Sequence, residues 1–379
     1  MSQIILYLSI AIISYIYVLY PIAIYLFSKV YSDKTQEVDS FYPSVCILIA
    51  AYNEEKYVLD KINNSLEQMY PKDKLKVILV SDGSTDRTLE LANSISHDVL
   101  KVINVEKRQG KANAINTALT HINEEVIVFT DANVFLHDNA VRELVKPLQD
   151  DNVACVSGRV MLKAINDGEI LGEGLYMKYE RLMFKSESII STMTGIDGGM
   201  FAIKREFVEP ISKDTILDDM LIAMRVLLNK KKIKYKESAV AEEYVPASVA
   251  QEFRRKVRIA TGAFQLLTQV WHLLLPWHQF SIFVFFVSHK VLRWLSPLFL
   301  LLILAMTLLK IDEQPFLLLF EAQLVFYFVA ILGQFSEKLR NFSIVYVAYY
   351  FTVVNISMFI GLLKYLSGKH SVKWNKVNR

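Results

Sequence analysis

The sequence predicts an α/β chain built on a mostly parallel sheet with helices on both faces, held between apolar segments long enough to cross a bilayer. Short β-branched runs alternate with polar helical stretches through the middle of the chain. Apolar blocks stand at both ends. Several of the β-branched runs also finish in small residues followed by acids or amides, as strands do at a ligand-binding edge.

The first block, residues 4–27, is apolar throughout and meets its first charge at Lys29. That exceeds the roughly 20 residues a spanning helix needs. A cleaved leader would carry its positive charge before a shorter apolar core, so residues 1–30 are read as a permanent anchor. Lys29 and Lys34 then place the following domain in the cytoplasm, at the inner face of the cell membrane. A hydrophobic content of 53% supports partial residence in lipid. The net charge of +3, from 42 basic and 39 acidic residues, gives no case for a nucleic-acid partner. Cys46 and Cys155 fall in expected buried strands, which suits a reducing compartment and no disulfide.

From 41 to 262 the composition is globular. SVCILIA (44–50), KVILV (76–80), VLKVINV (99–105), VIVFT (126–130) and VACVSG (153–158) read as buried strands. Residues 263–294 read as interfacial helices, with Trp271, Trp277 and Trp294 at headgroup level and His289, Lys290 and Arg293 among aromatics. Spans are expected at 295–309, 315–332 and 344–366, with Glu321, Gln323 and Asn355 turned toward neighbouring helices or a polar passage. Residues 367–379 form a basic tail with Lys369, Lys373, Lys376 and Arg379. Three spans after one anchor would put that tail outside, against the positive-inside tendency, unless one segment is re-entrant or interfacial.

The strand ends carry the chemistry. The first finishes in AAYNEE (50–55), the second in SDGSTD (81–86), and a third in FTDAN (129–133). Taken singly, Asn53, Ser84 and Thr85 are ordinary helix caps and Asp82-Gly83 an ordinary turn. Their recurrence at three strand ends points to one shared polar rim. The absence of any glycine in 50–55 argues against a dinucleotide fingerprint.

AAYNEE, SDGSTD, the basic GKANAIN (110–116) and FTDAN are similar, in order and setting, to the nucleotide-binding half of family 2 glycosyltransferases, whose Rossmann-like fold is called GT-A. The likeness continues through YMKYERLMFKSES (176–188), TGIDGGMFAIKRE (194–206), LDDMLIAMRVL (217–227), EFRRKVRIATGAFQLL (252–267), SHKVLRW (288–294) and the closing NISMFIGLLKYLSGKHSVKW (355–374). The branch it resembles is the membrane-embedded polysaccharide synthases of the cellulose, hyaluronan and poly-N-acetylglucosamine type.

The resemblance implies that Asp82 holds the uracil and ribose of a UDP-sugar, with Tyr52, Asn53 and Glu54 forming the wall beside it. Lys111 would lie near the diphosphate, although a lysine also suits a solvated helix start. The family's Asp-x-Asp element binds the donor and a divalent cation. Here Asp131 and Asn133 would hold Mg²⁺ or Mn²⁺, less tightly because the second acid is an amide, unless Asn133 only caps a turn. The family's Thr-Glu-Asp maps onto 217–219, giving Asp219 as catalytic base and Asp218 as its neighbour. Helix-dipole stabilisation alone would explain one acid there rather than two.

Arg254, Arg255 and Arg258 would meet the departing diphosphate, or lie on an anionic membrane surface, or both. The family's Gln-x-x-Arg-Trp is met only at Arg258. Arg255 replaces the Gln and Ile259 the Trp that stacks on the acceptor in processive members. Asp197 and Gly198 would line the acceptor pocket, with Asp197 a sugar contact or a turn carboxylate. Glu180 and Arg181 read as helix ion-pair residues.

The expected activity is metal-dependent, inverting transfer from a UDP-sugar to a growing polysaccharide or glycolipid acceptor by a multi-pass membrane protein in contact with membrane lipids. Single addition to a lipid carrier and a silent nucleotide-sugar binder are the alternatives.

Overall fold

The computed structural model describes residues 2–31, 40–164, 171–245 and 249–368. Lys34 and the tail lysines beyond 368 lie outside the described residues.

Eight strands form one mixed sheet: β1 (Val45–Ala51), β2 (Leu75–Asp82), β3 (Leu100–Val105), β4 (Val126–Asp131), β5 (Val134–Leu136), β6 (Val153–Ala164), β7 (Met200–Lys204) and β8 (Lys232–Val245). Their order is β3-β2-β1-β4-β7-β6-β8-β5. The first half is the expected parallel sheet, with β1 beside both β2 and β4 and β2 beside β3. The second half departs from it. β7 runs antiparallel between β4 and β6, and β5 pairs antiparallel with β8, while β6 and β8 are parallel, so the mostly parallel sheet also carries antiparallel pairings and is mixed. β5, β7 and β8 were not among the expected strands.

The period of two explains why the parallel strands read as continuous apolar runs. Cys46, Leu48, Ile78, Val80, Ile127 and Phe129 face one core. Val45, Ile47, Ile49, Val77, Leu79, Val126 and Val128 face the other. Both faces are covered, so neither needs polar residues. Cys46 and Cys155 are buried free thiols, and burial pushes both up out of their usual range.

Among the described residues, three helices are long and apolar enough to cross a membrane: Gln3–Val30, Gln314–Phe335 and Ser343–Leu366. The expected span at 295–309 is the helix Ser296–Leu308, whose 13 residues rise only about 20 Å, short of the ~30 Å bilayer core. It follows Phe280–Trp294 at a bend of 56°, so this pair is one broken span or a re-entrant element. Asn355 is buried and accepts from Ser296 Oγ, and Gln323 donates to Thr307 Oγ1 at 3.1 Å. Glu321 is exposed instead. Trp271 and Trp277 are exposed, whereas Trp294 is buried edge-on against Phe286, so it is a core rather than a headgroup residue.

Candidate active site

Register brings the strand ends level. Ala50 pairs with Asp131 across β1 and β4, Ala51 with Ser81 across β1 and β2, and Asp82 with Val105 across β2 and β3. The polar residues that follow each strand therefore emerge along one edge, as ligand sites do in open α/β sheets.

The first two rim loops are laced together. Asn53 adopts φ 55, a conformation amides tolerate better than most residues. Its Oδ1 accepts from Thr85 N at 2.7 Å and its own N–H donates to Ser84 Oγ at 3.1 Å. The N–H of buried Glu54 donates to Thr88 Oγ1 at 2.7 Å. Asp82 is buried, and its two oxygens accept from the backbone amides of Gln109 and Gly110 at 2.9 and 2.8 Å. It thereby holds the loop that leads into Lys111. The Arg108 guanidinium lies 3.8 Å from the centre of the Tyr52 ring. Tyr52, Asp82, Arg108, Gly110 and Lys111 line one hollow of this edge.

A second hollow shares Ala50 and Lys111 with the first and adds Asp131, Gly198, Asp218 and Asp219, over a floor of Leu48, Phe129 and Phe201. Lys111 opens the helix Lys111–Leu119 and reaches across, its Nζ 2.8 Å from Asp131 Oδ1 and 3.5 Å from Asp218 Oδ2. Asp218 and Asp219 open the helix Asp218–Leu228, where the backbone dipole favours negative charge. Gly198 is pressed against Asp219, for a Cβ there would stand 1.6 Å from Asp219 Oδ2.

The electrostatics follow from three acids around one ammonium. Burial works against the charge on Lys111, but Asp131, Asp218 and Asp219 outweigh it and raise its pKa. Asp219 is raised by burial first and by the charge of Asp218 second, with Lys111 opposing. Asp197 is pushed up to about 7, chiefly by burial and then by Glu243.

Other expected site residues stand apart. Asn133 is buried, and its Nδ2 donates to the Tyr244 carbonyl at 3.2 Å and to Glu243 Oε1 at 3.4 Å, tying the β4–β5 turn to β8. Only its side-chain oxygen is left to offer a cation. Arg255 is paired with Glu252, its Nε 2.8 Å from Oε2, and Arg254 is exposed. Arg258 donates to the Ile216 carbonyl at 3.2 Å, just before the two acids. The Asp197 N–H, beside Gly198, donates to Ser157 Oγ at 2.9 Å. Glu180 is an ion-pair residue, meeting His289, Lys290 and Arg293. Arg108 was missed, although the basic run KRQGK (107–111) carries it.

The donor set fits a hard cation that takes few protein ligands. Among the described residues no group of three His, Cys, Asp or Glu side chains forms a closed metal site. The carboxylate of Asp131 and the carbonyl oxygen of Asn133 are oxygen donors of the kind Mg²⁺ and Mn²⁺ accept, with a shell completed by phosphates and water. Three acids against Lys111 alone leave negative charge for such an ion to offset.

Comparison with known proteins agrees with this geometry. Residues 46–211 match the family described as Glycosyl transferase family 2. The poly-β-1,6-N-acetyl-D-glucosamine synthase of Staphylococcus epidermidis is 25% identical over 232 residues, 59% of this chain and 55% of that protein. The corresponding synthase of Staphylococcus aureus strain COL is 24% identical over 249 residues, 63% of this chain and 59% of that protein. The match thus spans little more than half the length of these relatives. Among solved structures, the mannosyltransferase PcManGT from Pyrobaculum calidifontis, in complex with GDP-Man and Mn²⁺, superposes with a TM-score of 0.76 at 21% identity, covering 97% of this chain and 100% of that one. That likeness gives the GT-A fold.

Proposed function

We propose that this chain, whose residues 46–211 match the Glycosyl transferase family 2 model, is a glycosyltransferase that moves a sugar from a UDP-sugar to a growing polysaccharide or glycolipid acceptor, with inversion at the anomeric carbon. The observation that carries this reading is the convergence of Lys111, Asp131, Asp218, Asp219 and Gly198 in one hollow at the sheet's carboxyl edge. The neighbouring hollow, with Tyr52, Asp82 and Arg108, suits the nucleoside. Asn53 and Glu54 keep that wall in place, and Arg108 over Tyr52 offers a cationic, stacked surface to the uracil or the diphosphate.

In this reading Asp219 takes the proton of the acceptor hydroxyl as the hydroxyl oxygen attacks the anomeric carbon and the bond to UDP breaks. A base raised by burial and by Asp218 suits this role, because proton transfer is most effective when the base is tuned toward working pH. With Asp219 as base, Asp131 given to the donor and Asp218 to tuning its neighbour, this reading leaves no carboxylate of the hollow to form a covalent intermediate, which favours direct displacement and a β-linked product from an α-linked donor. Lys111 offsets charge on the departing diphosphate, and Arg258, anchored at Ile216, stands beside the segment that carries both acids. Arg254 and Arg255 serve the membrane surface better than the diphosphate, given the exposure of one and the pairing of the other. Asp131 and Asn133 would hold Mg²⁺ or Mn²⁺, and such an ion, when bound, neutralises phosphate charge. Gly198 and Asp197 border the acceptor side.

The domain is proposed to lie at the cytoplasmic side of the inner membrane, held by its apolar helices. Single addition to a lipid-linked acceptor is the second reading, supported by Ile259, which puts no indole at that position for an acceptor sugar to stack on. The test is UDP release from the purified protein in lipid, with Mn²⁺ or Mg²⁺, across a panel of UDP-sugars beside Asp219→Asn, with product size followed. Turnover of one donor that vanishes in the variant is expected. UDP binding without turnover of any donor would leave a nucleotide-sugar binder instead.

A further inference from the structure

A lysine with no exposed surface at all lies directly behind the Asp131 turn. Lys61 is 0% exposed, on the helix Val58–Leu66, whose Val58, Ile62 and Leu66 pack into the core beneath β1 and β2. Its Nζ donates to Thr130 Oγ1 at 3.0 Å and to the Val134 carbonyl. Those two residues are the ones that flank Asp131, Ala132 and Asn133. One turn along the same helix, Asn64 donates to the Leu136 carbonyl and accepts from the Leu136 amide, both at 2.8 Å. The two side chains share one helix face and between them grip the chain from 130 to 136.

An apolar side chain would seat this helix on the core as well as Lys61 does, and without the cost of burying an ammonium. What the ammonium adds is the pair of hydrogen bonds that close the turn. Burial pushes Lys61 down to about 7, and the charge of Asp131 works the other way, so the two groups feel each other across the turn.

We propose that Lys61 is a positioning residue for the donor: its ammonium clamps both ends of the 131–133 turn and so fixes where Asp131 meets the sugar donor's diphosphate. This rests on the donor-transfer reading above.

The test is Lys61→Met in the full-length protein in lipid, which keeps the buried stem and removes the ammonium. The expected result is an unfolding temperature equal to or above wild type. Amide exchange at 131–134 should be at least tenfold faster, UDP affinity in Mn²⁺ about tenfold weaker, and donor KM raised more than kcat is lowered. A role confined to packing would lower the unfolding temperature and leave affinity and KM of the folded protein unchanged. Exchange, affinity and KM within twofold of wild type would overturn the proposal. Should Lys61→Met fail to fold, Thr130→Val removes one acceptor with little change of shape, and a smaller shift in the same direction is expected. Where both fold, the double variant should lose little beyond Lys61→Met; full additivity would overturn the clamp. Wild-type protein that binds no UDP would defeat the donor reading, while the exchange comparison still decides the clamp.

Discussion

Asp219 has to be ionised to accept a proton, yet burial and the charge of Asp218 both favour its protonated form. If Asp219 is the proposed base, its ionised form is therefore populated only at a pH above the ordinary aspartate range. Activity should rise with pH along a limb displaced upward from that range, and Asp218→Asn, which removes one of the raising charges, should move the limb back down. The pH profile of kcat/KM for the two proteins checks the sign. Asp219→Asn should lower kcat by roughly 10²–10⁴-fold while UDP affinity, read by calorimetry, stays near wild type. Gly198 meets the same carboxylate from the other side. A methyl group there would stand 1.6 Å from Oδ2 and must displace it. Gly198→Ala should thus cost on the order of 10²-fold in kcat, the penalty of moving a catalytic group by about an ångström, with nucleotide binding intact.

At the scale of elements, the helix Leu171–Ile190 is held by a buried polar network that contributes nothing to the reacting atoms. His289 is fully buried, its Nδ1 2.7 Å from Glu187 Oε1 and its Nε2 3.1 Å from Glu180 Oε2. Glu187 also accepts from Tyr20 of the N-terminal apolar helix at 2.7 Å and from the Thr194 amide at 3.2 Å. Glu180, held well below the usual carboxylate range despite its burial, further meets Lys290 and Arg293. His289→Ala would take one buried hydrogen-bond partner from each of Glu180 and Glu187 and should destabilise the protein by about 1–3 kcal/mol, read as a lowered unfolding midpoint in mild detergent. Little of this network is legible in the sequence, because its partners lie 102 and 109 residues apart. The parallel strands are legible for the opposite reason: each is a local β-branched run whose end changes to small and acidic residues. β7 is not, since MFAIK gives no local sign that it will pair antiparallel with β4. β8 hides behind its charges, alternating in KIKYKE as a solvated segment would. Lys61 is invisible because a lysine on a helix ordinarily faces water. Asn133 reads as a metal ligand through its resemblance to the family's Asp-x-Asp element, yet its amide nitrogen goes to β8, a strand far along the chain.

Across the whole molecule, Asp218 and Asp219, the acids of the proposed mechanism, are joined to an apolar helix through close contacts on the helix Val249–Gln269. Ser343–Leu366 packs along that helix, and a Cβ on Gly361 would lie 2.4 Å from the Ala260 Cβ and 2.8 Å from its carbonyl carbon. Small residues let helix backbones approach in this way. Near the same level, a Cβ on Gly262 would lie 2.6 Å from Leu217 Cγ, one residue before Asp218. Arg258 bonds the Ile216 carbonyl and Lys256 the Tyr350 hydroxyl at 2.8 Å, so the middle helix is gripped from both sides. Any shift of the apolar helix is then passed to the Asp218–Leu228 helix with little slack, because packed interiors do not compress. Gly361→Val has to push the two helices apart. It should lower kcat by roughly 10–100-fold, in line with the cost of small displacements of a base, while UDP affinity changes little, since the nucleotide hollow lies on the far strands. Leu363→Val, at a half-exposed position of the same helix, serves as the control and should leave both unchanged. Equal kcat for Gly361→Val and wild type in the same lipid would mean that the base keeps its place without the apolar helix; a selective loss of kcat would make that helix part of the machinery that sets Asp219.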